Sequence, residues 1–375
     1  MLQHVIINLT EKCNMRCEYC AYHDIRFQNN NPLRNIDKKV LEKTLDFIYI
    51  HSTHAHETAI SFYGGEPLLE LNLIDHAINY LERINSRGHN FKYFITTNAI
   101  LLDSNVSDFL VKKNITCTIS LDGPSSVHDR FRIDINGNAT YQTVIKNIKC
   151  LAKRHPDYYK ESVFFNAVVS PPFDHVNIYD FFSKSKVSYI DVVFGNYFNE
   201  YLRNKYGTSV FEKNSNTIPI SSNIDNTYTE DKYLGYLKKF MNLVEVYDNK
   251  TIFPTGFCVP LERRISISTD GSINLCERID DSDSLFNLGN IFTGYNYEKV
   301  LSLYKYTCEV LSGHCNKCWA NRFCNTCFAN LKRVNYYDAY CIEMRKKIEI
   351  EFINFLEFKQ NNKRFEEIMQ TISIS

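Results

Sequence analysis

The first half of the chain alternates apolar runs of strand length with segments whose apolar residues recur every three or four positions. The strand candidates are HVIINLT (4–10), ETAISFYGG (57–65), FKYFITTN (91–98), ITCTISLDG (115–123), VFFNAVVS (163–170) and VSYIDVVFG (187–195). Helical spacing fills the gaps, for instance DKKVLEKTLDFIYIH from Asp37, LIDHAINYLERINS from Leu73 and ATYQTVIKNIKCLAKRH from Ala139. Such alternation predicts an α/β fold with a parallel sheet and right-handed crossovers, because each helix must bury its apolar stripe on the sheet. Six repeats suggest a partial (β/α)6 TIM-like barrel, with an open sheet as the alternative that repeat count does not separate, and in either the chemistry collects at the carboxyl ends of the strands.

The pattern then changes. Residues 196–226 are rich in Asn, Ser, Thr and Tyr and read as a surface insertion or linker. An amphipathic helix follows, with Leu234, Leu237, Phe240, Met241 and Val244 in register. RISISTDGSINLC (264–276) reads as a β-hairpin turning at Asp270-Gly271. The cysteine-rich stretch beyond it reads as loop, and MRKKIEIEFINFLEFK, after Cys341, as a closing helix. At 375 residues the chain exceeds the roughly 250–300 residues that one core usually serves. The expected division is a barrel over 1–230, a bridging helix and linker over 231–257, and a small cysteine-rich domain over 258–375.

Composition narrows the function. Lys and Arg balance Asp and Glu at 43 each, which gives no basic excess for tracking phosphates and argues against nucleic acid as a partner. No apolar run approaches the ~18–20 residues of a membrane span, and no signal peptide precedes the first strand. Thirteen cysteines, an odd number, lie largely in close-spaced groups. Without a secretion signal that pattern points to metal thiolates in a reducing cytoplasm rather than to disulfides.

Cys13, Cys17 and Cys20 form C-x3-C-x2-C directly after the first strand, in TEKCNMRCEYC. Three thiolates on one loop can hold three irons of a [4Fe–4S] cube and leave the fourth open to a substrate or cosubstrate. A zinc loop is the alternative, but no fourth cysteine lies close by. The second strand ends in Gly64-Gly65-Glu66-Pro67, where glycines allow close backbone approach and Glu66 adds a carboxylate. The third ends in Thr97-Asn98 and the fourth in Ser120-Leu121-Asp122-Gly123. In a parallel sheet all four sets fall at the same end.

With these motifs the chain resembles the radical S-adenosylmethionine (SAM) superfamily. The C-x3-C-x2-C loop with Tyr19 before its third cysteine is similar to that family's cluster motif, and GGEP to its SAM-binding strand. SLDGPSSVHDRFRIDINGNATYQTVIKNI resembles the fourth β/α unit of the branch that carries a SPASM domain. The resemblance implies that Cys13, Cys17 and Cys20 bind a [4Fe–4S] cluster whose free iron chelates the amine and carboxylate of SAM. One electron then cleaves the sulfonium and releases a 5′-deoxyadenosyl radical. It further implies that Gly64, Gly65 and Glu66 hold the methionine end, that Ser120 and Arg132 lie near its carboxylate, that Tyr19 lies near adenine and that Asn98 reaches the ribose. Ala99 departs from the family, which usually has Gly after Thr-Asn.

The second half resembles a SPASM domain. Cys258, Gly271 and Cys276 fit its first part, Cys315, Cys318 and Cys324 its second, and Cys341 its last cysteine. Cys327 follows Cys324 after two residues where the family has three. The resemblance implies two auxiliary [4Fe–4S] clusters, one on Cys315, Cys318, Cys324 and Cys341, the other on Cys258, Cys276 and Cys327, one protein ligand short. Cys308 reads as a free thiol, Cys117 and Cys150 as core residues, and His128 and Asp129 as turn-orienting groups.

Enzymes of that branch act mostly on peptides or proteins. The reading is therefore a maturase that takes hydrogen from a ribosomally made precursor peptide and installs a thioether or carbon–carbon crosslink. The alternatives are an anaerobic sulfatase maturase forming formylglycine and, in another class, a non-catalytic zinc module. Sulfatase maturases resemble one another in an Asp after the cysteine equivalent to Cys276. This chain has Glu277, the candidate base. A separate leader-recognition protein and an external donor of the flavodoxin or ferredoxin type complete the expected partners.

Overall fold

The computed structural model describes residues 2–20, 32–52, 56–169, 175–182, 187–191, 261, 264–277 and 284–324, with separate helical positions between 341 and 360. The polar segment 196–226, the helix around 234–244, Cys258 and Cys327 lie outside the described residues. Two compact units form: Met1–Phe211 with Val259–Leu303, and Glu212–Cys258 with Tyr304–Ser375.

In the first unit β1 (His4–Thr10), β2 (Glu57–Gly64), β3 (Asn90–Thr97), β4 (Ile115–Ser120), β5 (Val163–Val169) and β6 (Val187–Asp191) follow one another as parallel neighbours. The alternation in the sequence predicts this order. A further strand, β7 (Arg264–Ile267), lies parallel on the other side of β1, with His4 opposite Arg264 and Ile6 opposite Ser266. Its hairpin partner β8 (Ser272–Asn274) runs antiparallel, and β9 (Asn287–Asn290) and β10 (Gly294–Tyr295) extend the sheet to ten strands. The Asp270-Gly271 turn forms where the motif places it, with Gly271 at φ +83 and the Asp270 carboxylate accepting from Ser272 N. The hairpin thus continues the barrel sheet, and β1 becomes its centre.

The two faces of this sheet differ because side chains alternate along a strand. On one face Ile60, Phe62, Ile95, Cys117, Ile119 and Phe165 are buried. Helices supply that cover: Tyr159, on α6 (Pro156–Ser162), meets Phe165 edge-on, with ring centroids 6.5 Å apart. The covering helices bury one apolar stripe each, as amphipathic helices on a sheet do. α1 (Lys38–His51) uses Leu41, Leu45 and Ile48, and α2 (Leu71–Ile84) uses Ile74, Ile78 and Leu81. α5 (Tyr141–Arg154) uses Val144, Ile148 and Leu151. Caps fix their starts: Asp37 accepts from Lys39 N, and Asp103 accepts from Val106 N to begin α3 (Ser104–Lys112). Two short helices, α4 (Ser125–His128) and α7 (His175–Phe181), complete the connections.

The opposite face is polar and only partly covered. The register places His4, Ile6 and Asn8 of β1 with Ser61 and Tyr63 of β2, Thr96 of β3, Thr116, Thr118 and Ser120 of β4, and Asn166 of β5. His4 Nε2 and Ser61 Oγ are 2.8 Å apart across it.

Two expectations change. Cys150 is exposed rather than in the core, because the buried line of α5 runs through Val144, Ile148 and Leu151 and leaves it on the outer side. The stretch before Cys315 is not loop: α8 (Tyr297–Cys315) runs for 19 residues. Its signal was present in Val300, Leu303, Thr307 and Leu311, all buried at helical spacing. Among the described residues no helix is long and apolar enough to cross a membrane.

Candidate functional site

The loop after β1 carries Cys13, Cys17 and Cys20, and backbone contacts on two sides hold it. On one side Gly65 N donates to Thr10 O at 2.8 Å and Glu66 N to Lys12 O at 2.9 Å. A Cβ on Gly64 would stand 2.2 Å from Thr10 O, and one on Gly65 2.1 Å from Lys12 O. Only residues without a side chain permit that approach, and Gly64 also adopts φ +138. On the other side Arg16 N donates to Ile133 O and Glu18 N to Phe131 O.

The three thiols lie half-buried on this loop. Burial pushes the Cys13 thiol up to about 11 and the Cys17 thiol to about 12, and each is raised further by the next cysteine of the loop. Free thiols here would stay protonated at neutral pH, so a thiolate form requires a strongly held cation. Met15 N donates to Cys13 Sγ at 3.4 Å, a backbone donor aimed at a thiolate ligand. The donor set is soft, confined to one loop and backed by amide hydrogens, which fits an iron–sulfur cluster. Among the described residues no three His, Cys, Asp or Glu gather as a single metal ion requires.

Glu66 is 1% exposed, and its carboxylate is occupied by the chain itself. It accepts from Leu68 N at 3.0 Å, Thr97 Oγ1 at 2.7 Å and Asn98 N at 2.8 Å. It therefore ties the end of β2 to the end of β3. Burial raises its pKa and these donors oppose the rise. Asn98 in turn donates to Asn14 Oδ1 at 2.7 Å and reaches Cys13 Sγ at 3.9 Å, which brings the third strand's end to the cysteine loop. Ala99 takes φ +61 while buried, the left-handed conformation that glycine adopts without strain.

Tyr19, between Cys17 and Cys20, is buried and hydrogen-bonded to Asp122. Arg132 Nη1 donates to Tyr19 Oη at 2.7 Å and lies 4.0 Å from Asp122 Oδ1. Sequence reasoning named Tyr19 and Arg132 but passed over Asp122; the signal was its place in SLDG, at the end of β4. His128 and Asp129 are structural, as expected. His128 Nδ1 accepts from Asp122 N at 3.4 Å, and Asp129 accepts from Thr140 N and Tyr141 N at the start of α5. Ser120 sits at the end of β4, opposite Asn166 on the polar face.

Glu277 and Cys276 are not brought to this loop. The hairpin returns them to the amino ends of β1 and β7, where Arg264 Nη2 spans both carboxylate oxygens of Glu277 at 2.7 Å. His4 and Thr10 are six residues apart on β1, so a strand length of about 20 Å separates the two ends. Cys276 Sγ lies 3.2 Å from Glu277 Oε2. In the second unit the thiols of Cys318, Cys324 and Cys341 act on Cys315, whose own thiol burial pushes up to about 12. Cys308 is half-buried on α8 and Trp319 is 57% exposed.

Comparison with known proteins follows the same lines. Residues 7–182 match the Radical SAM superfamily. The cysteine-type anaerobic sulfatase-maturating enzyme of Clostridium novyi (strain NT) is 29% identical over 194 residues, 51% of this chain and 50% of that protein. The radical SAM cyclopropyl synthase TigE of Paramaledivibacter caminithermalis is 28% identical over 197 residues, 49% of this chain and 40% of that protein. The chain thus spans about half the length of the curated relatives it matches. A solved structure described as native anSMEcpe with bound AdoMet and Cp18Cys peptide covers 100% of this chain and 99% of its own, with TM-score 0.67 and 18% identity. That likeness establishes a shared fold.

Two outcomes are expected. Gly65→Ala forces the Lys12 carbonyl away and should strip iron from the loop, read as a loss of chelatable iron and of visible absorbance after anaerobic reconstitution. The His4 side chain is held at a pKa of about 4 by burial and by Arg264. Its folded pKa lies below the unfolded value near 6.5, so its contribution is complete above about pH 6.5 and falls as pH drops toward 4, by roughly 2–3 kcal/mol in all. Denaturant midpoints between pH 7 and 4 should show a shallower decline in His4→Asn than in the wild type.

Proposed function

We propose that this chain, whose residues 7–182 match the Radical SAM superfamily, is a maturase that modifies a peptide by hydrogen abstraction. The observation that carries the reading is the cysteine loop docked by its backbone on Gly64 and Gly65, with Asn98 and Tyr19 on either side. Cys13, Cys17 and Cys20 would hold a [4Fe–4S] cluster, and with SAM it would supply one-electron chemistry able to remove a substrate hydrogen.

The chain's own residues divide the remaining work. Gly64 and Gly65 let the backbone of Thr10 to Lys12 pack directly on the end of β2, and the methionine end of SAM would be held beside that joint. Glu66, consumed by Leu68, Thr97 and Asn98, positions the ends of β2 and β3 rather than offering a free carboxylate. Asn98 would reach the ribose, and Ser120 and Arg132 would lie near the SAM carboxylate. The polar face of the sheet, from Asn8 and Thr96 down to His4 and Ser61, offers amide and hydroxyl groups to a peptide. At its far end Glu277, paired with Arg264, is the candidate base. Cys315, Cys318, Cys324 and Cys341 would carry one auxiliary cluster, and Cys276 with Cys258 and Cys327 the other. The domain division at 230 and 258, a leader-recognition partner and a flavodoxin- or ferredoxin-type donor remain parts of this proposal.

Two products are compatible with the site. A crosslinked precursor peptide is the first, favoured by Glu where sulfatase maturases resemble one another in Asp. Formylglycine is the second, favoured by relatives described as sulfatase-maturating enzymes. The zinc-module alternative gains nothing from these likenesses.

Anaerobically reconstituted protein, given SAM and dithionite, should form 5′-deoxyadenosine, and Cys17→Ala should abolish it; equal turnover in that variant would refute the cluster assignment. A cysteine-containing sulfatase peptide separates the two products, since formylglycine is an aldehyde that a hydrazine probe traps. Glu277→Gln should lower peptide product while SAM cleavage persists, and an unchanged product yield removes Glu277 from catalysis.

A further inference from the structure

Tyr19, Asp122 and Arg132 form a buried charged group against the cysteine loop, and the reaction outlined above uses only part of it. Asp122 is 1% and Arg132 6% exposed. Beyond its bond to Tyr19, the Asp122 carboxylate accepts from Val168 N at 3.0 Å, while its own N–H is directed at His128 Nδ1. It is thus held by β5, by α4 and by the cysteine loop at once. Arg132 Nη1 lies between Tyr19 Oη and Asp122. Through Tyr19, which stands between Cys17 and Cys20, both charges are held against the cysteine loop.

A buried guanidinium beside a thiolate ligand is worth far more than the same charge in water, because little solvent screens it. The potential of an iron–sulfur centre follows the net charge around it, the hydrogen bonds to its sulfurs and its exposure. An unopposed Arg132 would favour the reduced, more negative state and raise the potential. A low potential is what one-electron cleavage of a sulfonium needs. The fold therefore places a carboxylate 4.0 Å from that guanidinium, making the pair formally neutral.

We propose that Asp122 is a positioning residue that neutralises Arg132 beside the cysteine loop and so keeps the bound cluster's reduction potential low. This rests on the reading that Cys13, Cys17 and Cys20 hold a [4Fe–4S] cluster. No sequence motif assigns Asp122 that part, and its role is electrostatic: it touches neither thiol nor SAM in the arrangement described.

Reductive titration of the reconstituted full chain, followed by electron paramagnetic resonance, provides the test. The relevant cluster is the one whose SAM-responsive signal disappears in Cys17→Ala, which separates it from an auxiliary cluster with an open iron. Asp122→Asn, nearly isosteric, should shift its midpoint to less negative potential. Arg132→Gln should shift it the other way, and the double variant should return close to wild type. Tyr19→Phe keeps both charges and should leave the midpoint near wild type. If Asp122→Asn does not retain its cluster, the Arg132→Gln and Tyr19→Phe shifts alone decide the matter. An Arg132→Gln midpoint that stays put or rises overturns the proposal, as does a Tyr19→Phe shift matching or exceeding that of either charge variant. A wild-type protein with no SAM-responsive signal overturns the cluster assignment itself, and this inference with it.

Discussion

Everything at the carboxyl end of the sheet depends on the contact between the backbone of Gly64-Gly65 and the backbone of Thr10 through Lys12. Two hydrogen bonds of 2.8 and 2.9 Å join them, at a separation where any Cβ would collide with a carbonyl oxygen. Because the joint is made of main chain, it uses none of the cysteine side chains. It also delivers Glu66 to a buried position, where its carboxylate collects donors from the ends of β2 and β3. A loop that would otherwise lose considerable entropy on ordering is thereby fixed from both flanks, the second being the backbone of Phe131 and Ile133.

The sheet itself separates two tasks. Its apolar face binds the helices and supplies the stability, while its polar face stays partly open and lines the path from the cysteine loop to His4 and Arg264. A strand buried on both faces would read as a continuous apolar run. Here β4 alternates Ile115, Cys117 and Ile119 with Thr116, Thr118 and Ser120. That alternation is what a sheet covered by helices on one face and polar on the other requires. The pairing of β7 with β1 lengthens this surface and carries Cys276 and Glu277 to its amino end. The chemistry proposed for the chain is thus spread along the strands, with the radical source at one end and the candidate base at the other.

Charge is handled differently at the two ends. Glu277 is buried, but it meets an arginine whose side chain is 39% exposed, so the cation of that pair reaches solvent. Asp122 and Arg132 are both withdrawn from solvent, where an unpaired charge would be costly to bury. Their mutual compensation is part of what permits three thiol groups to sit nearby on the same loop.

Much of this was legible in the sequence. The β/α alternation, the strand ends bearing GGEP, Thr-Asn and SLDG, and the C-x3-C-x2-C loop are local patterns, written by alternation, helical spacing and the special conformations of glycine. The Asp270-Gly271 hairpin was equally local. What lay beyond sequence was partnership across long separations. Nothing in RISI says that it pairs with the first strand rather than closing a separate domain, since an edge strand can add to any sheet with matching register. Glu66 looked like a free ligand because its three donors come from backbone and hydroxyl groups that the fold alone assembles. Asp122 was named only as part of SLDG because Arg132 and Tyr19, its partners, are distant in the chain, and Cys150 looked like core because a helix face is known only once the sheet it packs on is placed. The sequence by itself determined the elements and the cysteine loop's donor chemistry; the tertiary structure decided which polar groups are spent holding the fold and which are left for a ligand, because that balance depends on long-range contacts.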